Sequence, residues 1–279
     1  MIRKSIHLLI LITIFSCSSK EPGKNKTVYT VPDKRETIEA FQQILDSANV
    51  SGSILVFDDK KEIYYSNDFD RCKIGHLPAS TFKIPNSIIA LETGVISDDS
   101  TMIRWDGKKR RLPAWEQDLV FRDAFHYSCV PCYQEIARKI GVARMKEYLE
   151  KLDFGNMIVD SSSIDLFWLE GDSKISQFEQ VDFLERLYHY RLPVSKRTGD
   201  IMKRLLVIED NDTFRLSGKT GWSVRNGKNN GWFVGYLEKG ADVYFIATNI
   251  DPKVEFNMEL FTVIRRQISM QAFRAMGII

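Results

Sequence analysis

The chain has 279 residues, 44% of them hydrophobic and 27% charged, and its formal net charge is only +2 at pH 7. This is the composition of an ordinary globular protein, long enough for one sizeable core or for two lobes sharing an interface. The near-neutral balance, with no basic run interleaved with aromatic residues, argues against nucleic acid as a partner.

Residues 1–16 read as an export signal. Arg3 and Lys4 form its positive start, and Ile6 to Phe15 form an apolar core too short to span a membrane as a helix. A short buried N-terminal helix is the other reading of that stretch. Ile14-Phe15-Ser16-Cys17 resembles the bacterial lipobox, in which the cysteine is lipidated and becomes the new N-terminus. Phe15 is bulkier than that pattern prefers, which leaves cleavage by the ordinary signal peptidase open. Residues 17–32 then serve as a lipidated N-terminus and tether, and 33–279 form a single domain of an exported, periplasmic protein whose only membrane contact is the N-terminal lipid. The sequence specifies no oligomeric state.

Further along, Ile38, Phe41 and Leu45 recur at helical spacing between Thr37 and Asn49, and the segments 53–57 and 62–65 flank a polar turn, which predicts a helix followed by a β-hairpin. From Ser80 to about Leu206 the pattern is helical, with segments at 84–91, 118–125, 133–152, 179–190 and 196–206. The period then returns to two: 214–219, 232–237 and 243–249 read as strands, the last two joined by a turn at Glu238-Lys239-Gly240, and 259–276 closes the chain as an amphipathic helix. Strands at both ends with helices between predict an α+β fold. Its central antiparallel sheet is built from both termini and flanked by terminal helices, a helical lobe over about 80–206 is inserted, and the site lies in the cleft between lobes.

The chemistry is concentrated in Pro78-Ala79-Ser80-Thr81-Phe82-Lys83-Ile84-Pro85. A hydroxyl and an amine three residues apart share one face of a helical turn. A serine is a poor nucleophile without a base, and Lys83 serves as one only if burial removes its proton. Ile84, Ile88 and Leu91, at i, i+4 and i+7, would sink that helix and Lys83 with it. Pro85 fits only in a first turn, placing Ser80 at the helix N-terminus. Alone, Ser-x-x-Lys is weak, since a chain this long should contain on the order of one by chance. His126, Cys129 and Cys132 recur every three residues, but no fourth ligand is signalled and Pro131 interrupts the segment, so no metal is expected. Cys129-x-x-Cys132 lacks the strand-then-helix context of a redox pair, and small buried thiols are the expectation.

Three more pieces follow in order: Ser128-Cys129-Val130, Phe154-Gly155-Asn156 and Lys219-Thr220-Gly221. Ser-x-x-Lys, Ser-x-Val, Tyr/Phe-Gly-Asn and Lys-Thr-Gly in this order resemble the penicillin-recognising serine acyl-transferases, and this version is similar to the class D (oxacillinase-type) β-lactamases. The resemblance also runs through 77–91, 127–141, 167–171 and 231–251. It implies that Ser80 attacks a lactam carbonyl and that the N–H groups of Ser80 and Trp222 hold the oxyanion. Ser128 and Lys219 would relay a proton to the leaving nitrogen, with Thr220 and Gly221 beside the substrate carboxylate. It further implies that carbon dioxide or bicarbonate is needed to carboxylate Lys83, with Trp168 bonding the carbamate amid Val130 and Leu169, and that no other cofactor or metal takes part. The carboxylate-binding arginine has no unambiguous match: Arg265 fits when counted back from the C-terminus, and Arg266 is the other candidate. Partners are therefore small β-lactams, the implied outcome is β-lactam resistance, and the alternative is a sensor-type or transpeptidase-type domain that is acylated without rapid hydrolysis. Ser223–Asn230 is expected as a loop bordering the substrate side chain.

Overall fold

The computed structural model describes residues 34–279, so the expected export signal, Cys17 and the whole tether lie outside the described residues. The chain begins with β1 (Arg35–Thr37), α1 (Glu39–Ser47), β2 (Val50–Asp58), β3 (Ile63–Ser66) and α2 (Phe69–Cys72). A 3-10 turn at Ala79–Phe82 runs directly into α3 (Lys83–Glu92). Next come β4 (Met102–Ile103), β5 (Leu119–Val120), α4 (Phe121–His126), α5 (Val130–Ile140), α6 (Val142–Leu152), α7 (Gln177–Tyr188) and α8 (Lys196–Leu206). The chain then returns to strands with β6 (Val207–Asp210), β7 (Arg215–Arg225), β8 (Lys228–Lys239) and β9 (Asp242–Pro252), and ends with α9 (Phe261–Ala275).

A seven-stranded sheet has the order β1-β3-β2-β9-β8-β7-β6. Its two sequence-distant halves are joined by the antiparallel β2–β9 pair, from Val50 opposite Pro252 to Asp58 opposite Tyr244, so the sheet is indeed built from both ends of the chain. Strand β1, unmarked by any apolar alternation, adds a parallel edge beside β3.

Alternation along the strands separates the two faces. Val50, Ile54 and Val56 of β2, Phe233 and Leu237 of β8, and Ile246 and Ile250 of β9 pack with Phe41 and Leu45 of α1 and Ile268 and Phe273 of α9. Burying such a side chain contributes roughly 1.5–3 kcal/mol, so this layer is the main core. The opposite face meets α7. There Gln177 Nε2 donates to the carbonyls of Ser53 (3.0 Å) and Ala247 (2.6 Å), and the Tyr188 ring packs edge-on to Phe245 and Tyr236.

Two segments differ from expectation. The single helix expected over 133–152 is two helices broken at Gly141, whose φ of +79° the α-helix does not admit. The loop expected over Ser223–Asn230 is instead the closed end of the β7–β8 hairpin, with Asn226 (φ +51°) and Gly227 (φ +73°) as its two turn residues. Positive φ at both central positions matches the right-handed twist of the flanking strands.

Candidate active site

Ser80 lies in the 3-10 turn that feeds α3, and the turn is pinned from several directions. Ala79 takes a left-handed conformation (φ +49°), and its N–H donates to the Trp168 carbonyl at 2.9 Å. Thr81 Oγ1 donates to the Pro78 carbonyl (2.7 Å) and accepts from Gln180 Nε2 of α7 (2.9 Å). The indole N–H of Trp232 on β8 donates to the Leu77 carbonyl at 2.9 Å. A non-glycine left-handed residue is retained only where its surroundings over-determine it, and these bonds supply that determination one residue before the hydroxyl.

Lys83 follows at i+3 with its Nζ hydrogen-bonded to Ser80 Oγ at 3.0 Å. It is fully buried because Ile84, Ile88 and Leu91 carry α3 into the interior, as the spacing predicts. Burial drives its pKa well below the ordinary lysine value, and the nearby Lys219 charge pushes in the same direction. Its Nζ also lies 5.1 Å from the centroid of the Tyr133 ring, whose hydroxyl hydrogen-bonds Ser87 at 2.8 Å. Tyr133 was not singled out by the sequence, where a tyrosine three residues into an amphipathic helix reads as core.

Ser128 occupies the left-handed residue (φ +53°) that ends α4: its N–H donates to the Phe125 carbonyl (3.0 Å) and the Cys129 N–H to the Ala124 carbonyl (2.9 Å). Lys219 on β7 donates to Ser128 Oγ at 3.1 Å and to its neighbouring Thr220 carbonyl at 3.3 Å. Burial, with a smaller contribution from the Arg265 charge, lowers the Lys219 pKa to about 7. Lys219 reaches the helical side because odd positions of β7 face it, whereas the Trp222 ring lies on the α9 side, 5.3 Å from Phe261.

β6 pairs only with Arg215–Ser217, which leaves the rest of β7 as a sheet edge beside the Ser80 turn. A Cβ at Gly221 would stand 2.9 Å from the Pro78 carbonyl oxygen and 3.1 Å from Thr81 Cγ2, so the approach of β7 to the serine requires the glycine. Trp222, the next residue along that edge, is the expected oxyanion donor.

Arg265 is buried while Arg266 is exposed. The Arg265 guanidinium donates to the carbonyls of Gly221 (2.6 Å), Phe261 (2.7 Å) and Thr262 (2.9 Å), which leaves two of its five N–H groups for a ligand. Of the two candidates, Arg265 is the one that bonds to Gly221 on β7.

Trp168 is fully buried and stacked on Phe82, ring centroids 5.1 Å apart, and its indole N–H has no hydrogen-bond partner among the described residues. Val130 at the start of α5 and Leu169 are half-buried. The Phe-Gly-Asn motif supports this site from behind: Phe154 packs edge-on against Phe82 (6.0 Å), and Asn156 forms a bridge with Lys174.

The cysteine expectation is corrected. Cys129 and Cys132 are joined in a disulfide, which also removes both sulfurs from the metal set considered with His126. Cys72 alone is a buried free thiol among the described residues. A groove of about 860 Å³ borders the β7–β8 hairpin end, with Ser223, Arg225 and Asn229 among its lining, but contains none of Ser80, Lys83, Ser128 or Lys219. The site is thus identified by the convergence of those four groups and not by cavity size.

Residues 45–260 match the penicillin-binding protein transpeptidase domain family. The chain is 42% identical over 233 residues to β-lactamase OXA-10 of Pseudomonas aeruginosa, covering 82% of this chain and 86% of that protein. It is 40% identical over 220 residues to β-lactamase OXA-48 of Klebsiella pneumoniae, covering 79% and 83% respectively. The crystal structure of a class D β-lactamase from Sebaldella termitidis superposes with a TM-score of 0.83 at 38% identity, over 89% of this chain and all of that one. The ordered serine and lysine groups, the fold that gathers them and these likenesses converge: the chain belongs to the class D β-lactamases.

Proposed function

We propose that this protein hydrolyses β-lactam antibiotics through a serine acyl-enzyme and thereby confers resistance to them. The observation that carries the reading is the buried, charge-depleted Lys83 amine 3.0 Å from Ser80 Oγ. Ser80 Oγ attacks the lactam carbonyl carbon, and the proton it loses has the Lys83 side chain as its hydrogen-bonded neighbour. The developing oxyanion lies against the backbone N–H groups of Ser80 and Trp222. As the carbon–nitrogen bond breaks, the Ser128 hydroxyl gives its proton to the departing nitrogen and is resupplied by Lys219, whose pKa near 7 suits proton transfer at neutral pH. The substrate carboxylate is placed by Thr220, Gly221 and the free donors of Arg265. Water then cleaves the acyl ester and restores Ser80.

The site also fits a carboxylated Lys83. A desolvated amine is neutral and nucleophilic toward carbon dioxide, and the buried Trp168 N–H, without a partner among the described residues, would be the donor to the group formed. Val130 and Leu169 are the apolar residues that the family resemblance places around it. Once formed, the carbamate supplies an anionic base beside Ser80. No metal or other cofactor enters the scheme.

Export to the periplasm and lipidation of Cys17 belong to the same reading. They are supported by the apolar Ile6–Phe15 run followed by cysteine; among the described residues no helix is long and apolar enough to cross a membrane.

A chromogenic cephalosporin tests the proposal. Many turnovers per protein, stimulated by bicarbonate, are expected. A single stoichiometric burst would assign the chain to the sensor or transpeptidase class, and no burst would show that the site is inert.

A further inference from the structure

We propose that the Cys129–Cys132 disulfide is a positioning device for the acylation step, holding the Ser128 hydroxyl against Lys219. The proposal rests on the hydrolase reading above. Ser128 is the left-handed residue closing α4, a place where glycine is favoured because it has no Cβ. A serine there is strained, and it keeps the conformation only if its neighbours hold it. Upstream the hold is complete, since the N–H groups of Ser128 and Cys129 both bond back into α4. Downstream it is weak. Cys129 is the N-cap of α5, where Ser, Thr, Asp or Asn would accept a strong bond from the first turn; its sulfur is a poor acceptor, 3.3 Å from the Cys132 N–H.

The disulfide reinforces that weak cap with a covalent tie from the residue after Ser128 to the first turn of α5. The tie confines the peptide that carries Ser128, and with it the 3.1 Å contact to Lys219. Tyr133, one residue beyond, is anchored separately by burial and by Ser87, so the floor beneath Lys83 does not depend on the bridge. Cutting the disulfide should therefore slow protonation of the departing nitrogen and leave attack of water on the ester untouched. Cys132 is half-buried and lines a shallow surface depression with Trp105, Trp115 and Glu135, which gives a small dithiol access to it.

The test is stopped-flow acylation and deacylation of the full chain, oxidised and after dithiothreitol, which converts the disulfide to two thiols and is itself oxidised to a cyclic disulfide. Alkylation and mass analysis of the Cys129–Cys132 peptide confirm the state of each sample. Expected on reduction is an acylation rate about tenfold lower, part of what a proton donor contributes, with deacylation unchanged and full recovery on reoxidation. Cys129→Ala/Cys132→Ala should match the reduced protein and ignore dithiothreitol. Equal acylation in the two redox states, equal slowing of both steps, or a dithiothreitol effect persisting in the double variant overturns the inference alone. An oxidised protein that forms no acyl-enzyme overturns the hydrolase reading and this inference with it.

Discussion

Lys83 meets a hydroxyl and an aromatic ring where a buried ammonium would need a carboxylate, and the charge acting on it, Lys219, has the same sign. Such an environment destabilises the ammonium form and favours either the free amine or an uncharged-to-anionic derivative of it. On the proposed carboxylation Trp168 would separate these two outcomes, because its buried N–H, without a partner among the described residues, would be the donor to the acceptor so added. Trp168→Phe removes that donor while keeping an aromatic ring against Phe82, and the cavity left by the smaller side chain is expected to cost about 1–3 kcal/mol. Without added bicarbonate its progress curves should decelerate within the assay, and saturating bicarbonate should restore rates to within a few-fold of the parent. Linear, bicarbonate-independent curves would remove the indole from the mechanism. At this scale Ser80, Lys83, Ser128 and Lys219 were legible because their order and spacing are chemical requirements. The Cys129–Cys132 bond was not: with no fourth metal ligand and no redox-fold context, Cys-x-x-Cys at a helix start reads as a pair of inert thiols.

Among the elements, β7 is the one that turns a sheet edge into half of a site. Its free edge exists because the pairing with β6 stops at Ser217, and its distance from the serine turn is set by Gly221. Gly221→Ala would put a methyl 2.9 Å from the Pro78 carbonyl oxygen. Relieving that contact moves β7, with Trp222 and Lys219, and the Ser80 turn apart. A shift of about 1 Å in such a constellation costs on the order of 10²-fold in rate, so kcat/KM should fall by roughly that factor while circular dichroism and the unfolding transition change little. Activity within twofold of the parent would mean that the β7 edge does not set the oxyanion geometry. The glycine was readable as a place of close approach, but what it approaches required the fold. The hairpin beyond it was readable too: Asn226-Gly227 is the strongest short hairpin signal there is, and it was overlooked because polar flanking residues mask the strand period. Gly141 was missed for the converse reason. The helical spacing of Tyr133, Ile136 and Ile140 resumes with Met145, Leu149 and Leu152, and a single five-residue step from Ile140 to Met145 is all that marks the break in the apolar pattern.

For the whole molecule, the sheet welded from both chain ends stabilises the fold, and the active site subtracts from that stability. Lys219 is buried and has a pKa of about 7 against an ordinary value of 10.5. Between those two values the unfolded chain binds a proton at this residue that the folded chain lacks, so the stability contribution rises with pH across the window and is smallest below about pH 7. Lys83 acts in the same direction. The opposing groups are silent over most of the range: burial raises Cys72 to about 11 and Tyr188 to about 12, so they begin to oppose folding only as pH exceeds their ordinary values of 9.0 and 10.0. Lys219→Met keeps the chain length and removes the charge. Relative to the parent it should gain the most stability near pH 7 and lose about 2 kcal/mol of that advantage by pH 9, at roughly 1.4 kcal/mol per pH unit for one proton. For a domain of this size that is a shift of about 4–8 °C in the Tm difference between the two pH values, accompanied by loss of turnover at both. Parallel Tm profiles for the two proteins would show that Lys219 stays charged in the folded state. The proton relay assigned to it with Ser128 would then lack its near-neutral donor.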